Sequence, residues 1–419
     1  MHILQEFLIQ NPHSGVYSCC SANRFVIEAA AERALARNAL LLIESTANQV
    51  NQFGGYTGMT PTQFRDYVYS ITNKISFPKE RIILGGDHLG PLTWSSLPES
   101  EAMQLACELV EAYAKAGFTK IHLDTSMRLA DDCADKPLSN EAIAARSARL
   151  CSIAEKVAPS SPVYIIGSEV PIPGGAQNLE DHITITTPAA YLNTVESFKR
   201  SFIEHGLESA FERVLGVVVQ PGVEFSETEV FSYDSVAAKE LISALKQTPG
   251  LVFEGHSTDY QSRDCLRSMV RDGIRILKVG PALTFALRES LFALEQIEKE
   301  LPYRFLRSDF RATLEAVMCK APDQWHKHYH GDAKGIRMSR AFSFSDRARY
   351  YLPDPLVLTS IDLLIANLRH YGIPLVLLSQ FLPRQYPRVR DRKLANDPEA
   401  LIRDWIGDYI DDYMEATLS

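Results

Sequence analysis

Short apolar runs alternate with longer amphipathic stretches down the first 300 residues of the chain. The runs fall at 15–18, 39–44, 81–86, 120–124, 163–168, 214–220, 251–254 and 274–279. Each is rich in Val, Ile or Leu, as parallel strands covered on both faces are. The stretches between them carry apolar residues at helical spacing. In 99–116, Ala102, Leu105, Ala106, Leu109, Val110 and Tyr113 recur three and four residues apart, and Gly117 follows where a helix would end. Thr60-Pro61-Thr62-Gln63 has the form of an N-cap, a proline at the first helical position and a capping-box partner. The other helices are expected at 22–37, 63–74, 140–157, 189–205, 235–246, 262–272 and 284–300. Eight strand–helix pairs in strict order predict a (β/α)₈ TIM barrel, with an open doubly wound sheet as the alternative.

After Leu301 the strand signal fades. Helical patterns at 310–318, 355–369 and 398–415 alternate with aromatic and basic turns. A barrel domain over 1–301 and a helical C-terminal extension over 302–419, packed on the barrel, are expected. Residues 1–10 are mildly apolar and lead straight into the fold. The run Arg384, Arg388, Arg390, Arg392 and Lys393 reads as a solvated turn, with an interaction surface for an acidic partner as the alternative. His326, His328 and His330 read as a surface turn, because no carboxylate or cysteine stands at a usual ligand spacing from them.

Composition narrows the class. A hydrophobic fraction of 46% with 23% charged residues is that of a globular protein. A net charge of -9 argues against a general nucleic-acid binder. No apolar run has the length of a membrane span and no signal segment opens the chain, so no membrane association and a cytoplasmic location are expected. Seven cysteines without a CxxC pair suggest buried, inert thiols instead of a disulfide framework. Neither a GxxxxGK[ST] loop nor a GxGxxG turn is present, so no nucleotide cofactor is expected.

A barrel of this kind carries its active site at the C-terminal ends of its strands. Chemically capable residues gather there. The second strand ends in Glu44, followed by Asn48 and Gln49; the third in Asp87-His88; the fourth in Asp124; the fifth in Glu169; the sixth in Gln220. The seventh gives His256-Ser257-Thr258-Asp259, and the eighth Lys278 and Gly280. An isolated Asp-His pair at a strand end is as well explained by a cap and a satisfied core histidine. Seven successive strand ends of this character are harder to explain so. His88 and His256, with Gln220 or Glu169, offer donors for a divalent metal, zinc first. Such a metal polarises a sugar carbonyl. Asp87, Asp124 and Glu169 are candidates for proton transfer. Glu44, Asn48 and Gln49 are candidates for binding substrate, and Ser257, Thr258, Asp259, Lys278 and Gly280 for binding phosphate.

Longer motifs go further. They include Asn48-Gln49-Val50-Asn51-Gln52-Phe53-Gly54-Gly55-Tyr56-Thr57-Gly58, Leu84-Gly85-Gly86-Asp87-His88-Leu89-Gly90-Pro91 and Glu169-Val170-Pro171-Ile172-Pro173-Gly174-Gly175. Others are Gln220-Pro221-Gly222-Val223-Glu224-Phe225, His256-Ser257-Thr258-Asp259-Tyr260 and Lys278-Val279-Gly280-Pro281. With Ser345-Asp346-Arg347 and Ser379-Gln380-Phe381-Leu382-Pro383 in the extension, the chain resembles the GatZ/KbaZ family over nearly its whole length. That family is the non-catalytic Z subunit of class II D-tagatose-1,6-bisphosphate aldolase. The resemblance implies a catalytic Y subunit as partner, whose activity and stability the chain supports. It also implies a place in tagatose 6-phosphate catabolism from galactitol or N-acetylgalactosamine, and no aldolase activity alone. The chain is similar, more distantly, to catalytic class II aldolases, with Gln220 standing where a further histidine ligand is expected. The alternative is a metal-dependent ketohexose-phosphate 4-epimerase, active by itself on fructose and tagatose 6-phosphates. In either case the substrate is a phosphorylated ketohexose, and a homo-oligomer is expected.

Overall fold

The computed structural model describes residues 1–168, 183–302 and 306–418. Eight parallel strands close a barrel: β1 Val16–Cys19, β2 Leu41–Thr46, β3 Ile82–Leu89, β4 Lys120–Leu123, β5 Val163–Ile166, β6 Val214–Val219, β7 Val252–Gly255 and β8 Ile274–Val279. Their order around the barrel is β1-β8-β7-β6-β5-β4-β3-β2. Pairing of β1 with β8, Val16 against Ile276 through Cys19 against Val279, closes the ring and excludes the open sheet. All eight strands expected from the sequence are present. The helices that follow them are α1 Arg24–Ala36, α2 Pro61–Lys74, α3 Glu99–Lys115, α4 Asn140–Val157, α5 Pro188–Glu204, α6 Lys239–Leu245, α7 Arg263–Arg271 and α8 Pro281–Glu300. The capping box at α2 forms as its sequence predicts, Thr60 and Gln63 satisfying each other's backbone amides. α6 starts later than expected because residues 235–238 form a turn, and a short hairpin, Glu224–Phe225 against Val230–Phe231, stands between it and β6.

The barrel interior is layered. Side chains that alternate along the strands put Val16, Leu42, Ile83, Val163, Ile165, Leu215, Val218, Val252 and Ile276 into one dry cluster at the bottom. The N-terminal segment closes this end. Residues 1–10 do not simply lead into the fold; Ile3–Gln10 is a helix whose Leu4 and Leu8 join that cluster. Arg275 holds it in place, donating to the carbonyls of Leu8, Asn11 and Ser14. The larger core lies between the strands' outer faces and the ring of helices.

The extension is helical and packs on the barrel. Its last helix, Pro398–Thr417, lies beside α1 and α7, with Arg33 to Asp404 at 2.9 Å, Arg37 to Asp411 at 2.6 Å and Arg263 to Asp412 at 2.6 Å. Tyr413 donates its hydroxyl to the Thr258 carbonyl at 2.7 Å. Of the basic run, Arg384, Arg390, Arg392 and Lys393 are exposed, whereas Arg388 sits on the helix Gln385–Arg390 and pairs with Asp404 and Asp408. Nor is His328 a free surface residue, since its Nδ1 lies 3.0 Å from an Arg347 nitrogen. Cys19, Cys107 and Cys151 are buried as expected, whereas Cys133 and Cys319 are exposed. Among the described residues no helix is long and apolar enough to cross a membrane.

Candidate active site

Three strands of the dry layer continue upward into charge. Two residues beyond Leu42, Val252 and Ile276 come Glu44, Glu254 and Lys278, and β4 begins with Lys120 on the same inner face. Glu44, Lys120 and Glu254 are wholly buried. Lys120 Nζ bridges the two carboxylates, 2.5 Å from Glu44 Oε1 and 2.7 Å from Glu254 Oε2. Lys278 Nζ lies 3.5 Å from Glu44 Oε2 and pairs with Asp87. Burial alone would neutralise these groups, but the facing charges win: Glu44 and Glu254 are held below the carboxylate range, and Lys120 above its ordinary value. The layer is a charged floor for whatever sits above it.

Above the floor stand three imidazoles and a carboxylate. His122 follows Lys120 by two positions on β4, His256 follows Glu254 by two after β7, and Asp87 and His88 close β3. Ligand atoms of Asp87, His88, His122 and His256 all lie within 4.8 Å of one another. Strand alternation would turn either Asp87 or His88 outward. A register shift between Gly86 and Leu89, with His88 at φ 48°, brings both to the barrel mouth. The glycines nearby make room. A Cβ at Gly85 would lie 2.6 Å from Glu44 Cγ, and one at Gly90 only 1.6 Å from the Asp124 carbonyl oxygen.

The electrostatics suit a cation. Burial pushes His122 and His256 down to about 4, so both rings are neutral and able to donate a lone pair. Asp124 Oδ2 lies 2.7 Å from His88 Nδ1. Burial alone would raise Asp124, but its contact with His88 holds it well below the carboxylate range. Glu254 Oε1 lies 2.9 Å from His256 Nε2. His122 Nε2 is buried with no hydrogen-bond partner among the described residues. A buried ring nitrogen left without a partner, beside two more imidazoles and a carboxylate, fits a divalent metal of the zinc class.

A cavity of about 420 Å³ opens above the cluster. Of the residues singled out in the sequence, Asn48, Gln49, Asp87, His88, His256, Ser257, Asp259, Lys278 and Gly280 line it. Four others lie elsewhere. Glu44 is in the floor beneath, and Asp124 stands behind His88. Thr258 is buried, its hydroxyl donating to the Lys278 carbonyl at 2.7 Å. The Gln220 amide oxygen accepts the Gly222 and Val223 N–H groups, at 2.8 and 3.0 Å, and shapes its own loop. Glu169 lies outside the described residues. Asp259 accepts from the Gly280 and Ala282 amides at 3.0 and 2.8 Å, and burial raises it to about 6.

The sequence reading did not single out His122, Lys120, Glu254 or Arg349. The first three carried a signal in the alternation of Lys120, His122 and Asp124 along β4 and of Glu254 and His256 at β7, which puts each set on one face. Arg349 comes from the extension, whose Tyr350, Leu352 and Asp362 also line the cavity.

A family model described as D-tagatose-1,6-bisphosphate aldolase subunit GatZ/KbaZ-like matches residues 3–418. A crystal structure from Sinorhizobium meliloti 1021, described as a probable tagatose 6 phosphate kinase, is 46% identical with a TM-score of 0.88, covering 96% of this chain and 100% of that one. The glycerol-bound fructuronate-tagaturonate epimerase UxaE from Cohnella laeviribosi is 14% identical with a TM-score of 0.50, covering 99% of this chain and 86% of that one. The latter is a likeness of fold.

Proposed function

The chain belongs to the GatZ/KbaZ-like family of D-tagatose-1,6-bisphosphate aldolase subunits, and from that premise we propose that it is the Z subunit of such an aldolase. In this reading it acts in the cytoplasm, itself a homo-oligomer, and binds a catalytic Y subunit. It raises that subunit's activity and stability in the breakdown of tagatose 6-phosphate. The observation that carries the reading is the family match over residues 3–418. The experiment mixes the two purified subunits and follows cleavage of tagatose 1,6-bisphosphate and the melting temperature of the Y subunit. Higher activity and melting temperature on mixing support the role. A Y subunit unchanged in both sinks it.

A second reading rests on a separate observation, the buried Asp87, His88, His122 and His256 group with its partnerless nitrogen. A scaffold has no need of such a group. The chain is then a metal-dependent 4-epimerase interconverting fructose and tagatose 6-phosphates without a partner. His88, His122 and His256 would hold the ion, zinc for preference, which when bound polarises the sugar carbonyl. Asp124 orients His88, and Asp87, with Lys278 against it, holds or moves a proton at the cavity floor. Turnover of fructose 6-phosphate by the chain alone, lost in His122→Ala, supports this reading. Silence with zinc, manganese, cobalt and nickel in turn rejects it.

A further inference from the structure

In many barrels of this architecture an anionic ligand rests on amides at the start of the helix after the last strand. Here that seat is filled from within. The Asp259 carboxylate accepts both the Gly280 and Ala282 amides, and Asp259 is only 2% exposed. An arriving phosphate would meet a carboxylate there instead of free N–H groups.

The extension offers another seat. Among the described residues three Lys or Arg side chains line the cavity: Arg24, Lys278 and Arg349. Arg24 pairs with Glu399 at 2.6 Å, and Lys278 pairs with Asp87. Arg349 instead bonds neutral groups, the Ser345 and Asp346 carbonyls and the Tyr350 hydroxyl. Arg347 is buried close by and also bonds only neutral groups, His328 Nδ1 at 3.0 Å and the Tyr350 hydroxyl at 3.4 Å. Its Nε is buried without a partner among the described residues. Burial first, then the like charge of Arg349, push the Arg347 guanidinium down. Both guanidiniums lie against the Tyr350 ring, at 4.6 and 5.7 Å from its centre. Two neighbouring cations, one of them lining the cavity and neither in an ion pair among the described residues, form an arrangement that an anion completes.

We propose that Arg349, backed by Arg347 and Tyr350, seats the phosphate of a phosphorylated ketohexose, so that the extension and not the start of α8 reads that group. The proposal rests on the phosphosugar reading above and adds where the phosphate goes. Its test is calorimetric titration of the full chain with fructose 6-phosphate, fructose and inorganic phosphate. The wild-type chain is expected to prefer the phosphorylated sugar. Arg349→Met is expected to bind fructose 6-phosphate and inorganic phosphate roughly 10- to 100-fold more weakly, with fructose binding unchanged. Arg349→Lys should recover part of the loss. A wild-type chain that does not distinguish the two sugars overturns the phosphosugar reading and this seat with it. A wild-type preference that survives in Arg349→Met overturns the seat alone and leaves the reading standing. Should Arg349→Met fail to fold, Arg349→Lys decides: binding weakened several-fold, for want of the guanidinium fork, supports the seat, and unchanged binding overturns it.

Discussion

Asp124 Oδ2 stands 2.7 Å from His88 Nδ1, while its other oxygen accepts the amide and hydroxyl of Ser126 at 3.1 and 2.7 Å. The carboxylate is thus fixed on one side and fixes the imidazole on the other. Such a partner behind a metal-binding histidine sets its tautomer and raises its basicity. Asp124→Asn is therefore expected to weaken divalent-metal binding roughly 10- to 100-fold and to lower the melting temperature of the metal-free chain, since the contact that holds the carboxylate charged is lost as well. Competition with a chelating dye checks the first value and calorimetry the second. Unchanged metal affinity would remove Asp124 from the site.

Among the described residues Lys120 is the only cation within 3 Å of both Glu44 and Glu254, and all three are wholly buried. Removing one member of such a group leaves uncompensated charge in a dry place, at a cost of about 3–5 kcal/mol. Lys120→Met should show that loss in urea unfolding. Adding Glu254→Gln to Lys120→Met should restore part of it, because one of the stranded carboxylates is then neutral. A double variant no more stable than the single one would count against this account.

Glu224, 8% exposed on the hairpin after β6, is raised by burial from the ordinary glutamate value of 4.5 to about 7. Between those values the folded chain holds a proton that the unfolded chain has released. The folded state therefore loses stability as pH climbs from about 4.5 to about 7. The full span corresponds to about 3 kcal/mol. Unfolding measured at steps across that range should show the decline in the wild type and a flatter profile in Glu224→Gln. Parallel profiles would mean that Glu224 titrates normally.

A Cβ added at Gly90 would sit 1.6 Å from the Asp124 carbonyl oxygen, a backbone atom that has no rotamer to escape into. Gly90→Ala must push the end of β3 away from β4, where Asp87 and His88 meet His122 and Asp124. We expect a loss of about 3 kcal/mol or more, together with weakened metal binding. A variant that melts and binds metal as the wild type does would show that this contact is loose.

The strands were legible because parallel strands buried on both faces leave unbroken apolar runs, and the turn residues between them mark each end. The site was legible in outline for the same reason: Asp87-His88 and His256 stand right after such runs. What lay inside a run was not. His122 and Lys120 sit within the fourth apolar segment, where an ionisable residue reads as an interruption until alternation assigns it to the inner face. His88 depended on a bulge at Asp87–His88 that no periodicity announces. Gln220 was expected among the ligands on chain order alone, and the Gly222 and Val223 amides claim it. Arg349 reaches the cavity from an extension that follows the last barrel helix, a contact of tertiary structure with no local pattern behind it.

The Gly15 amide donates to the Thr417 carbonyl at 2.8 Å, and Tyr413 holds the loop after β7. The first strand and the Pro398–Thr417 helix are thus neighbours in space, although the rest of the barrel lies between them along the chain. Until that helix is made, the Arg33 and Arg37 face of α1 and the Arg263 face of α7 lack these acidic partners. The barrel wall is sealed on that side only when the Pro398–Thr417 helix docks.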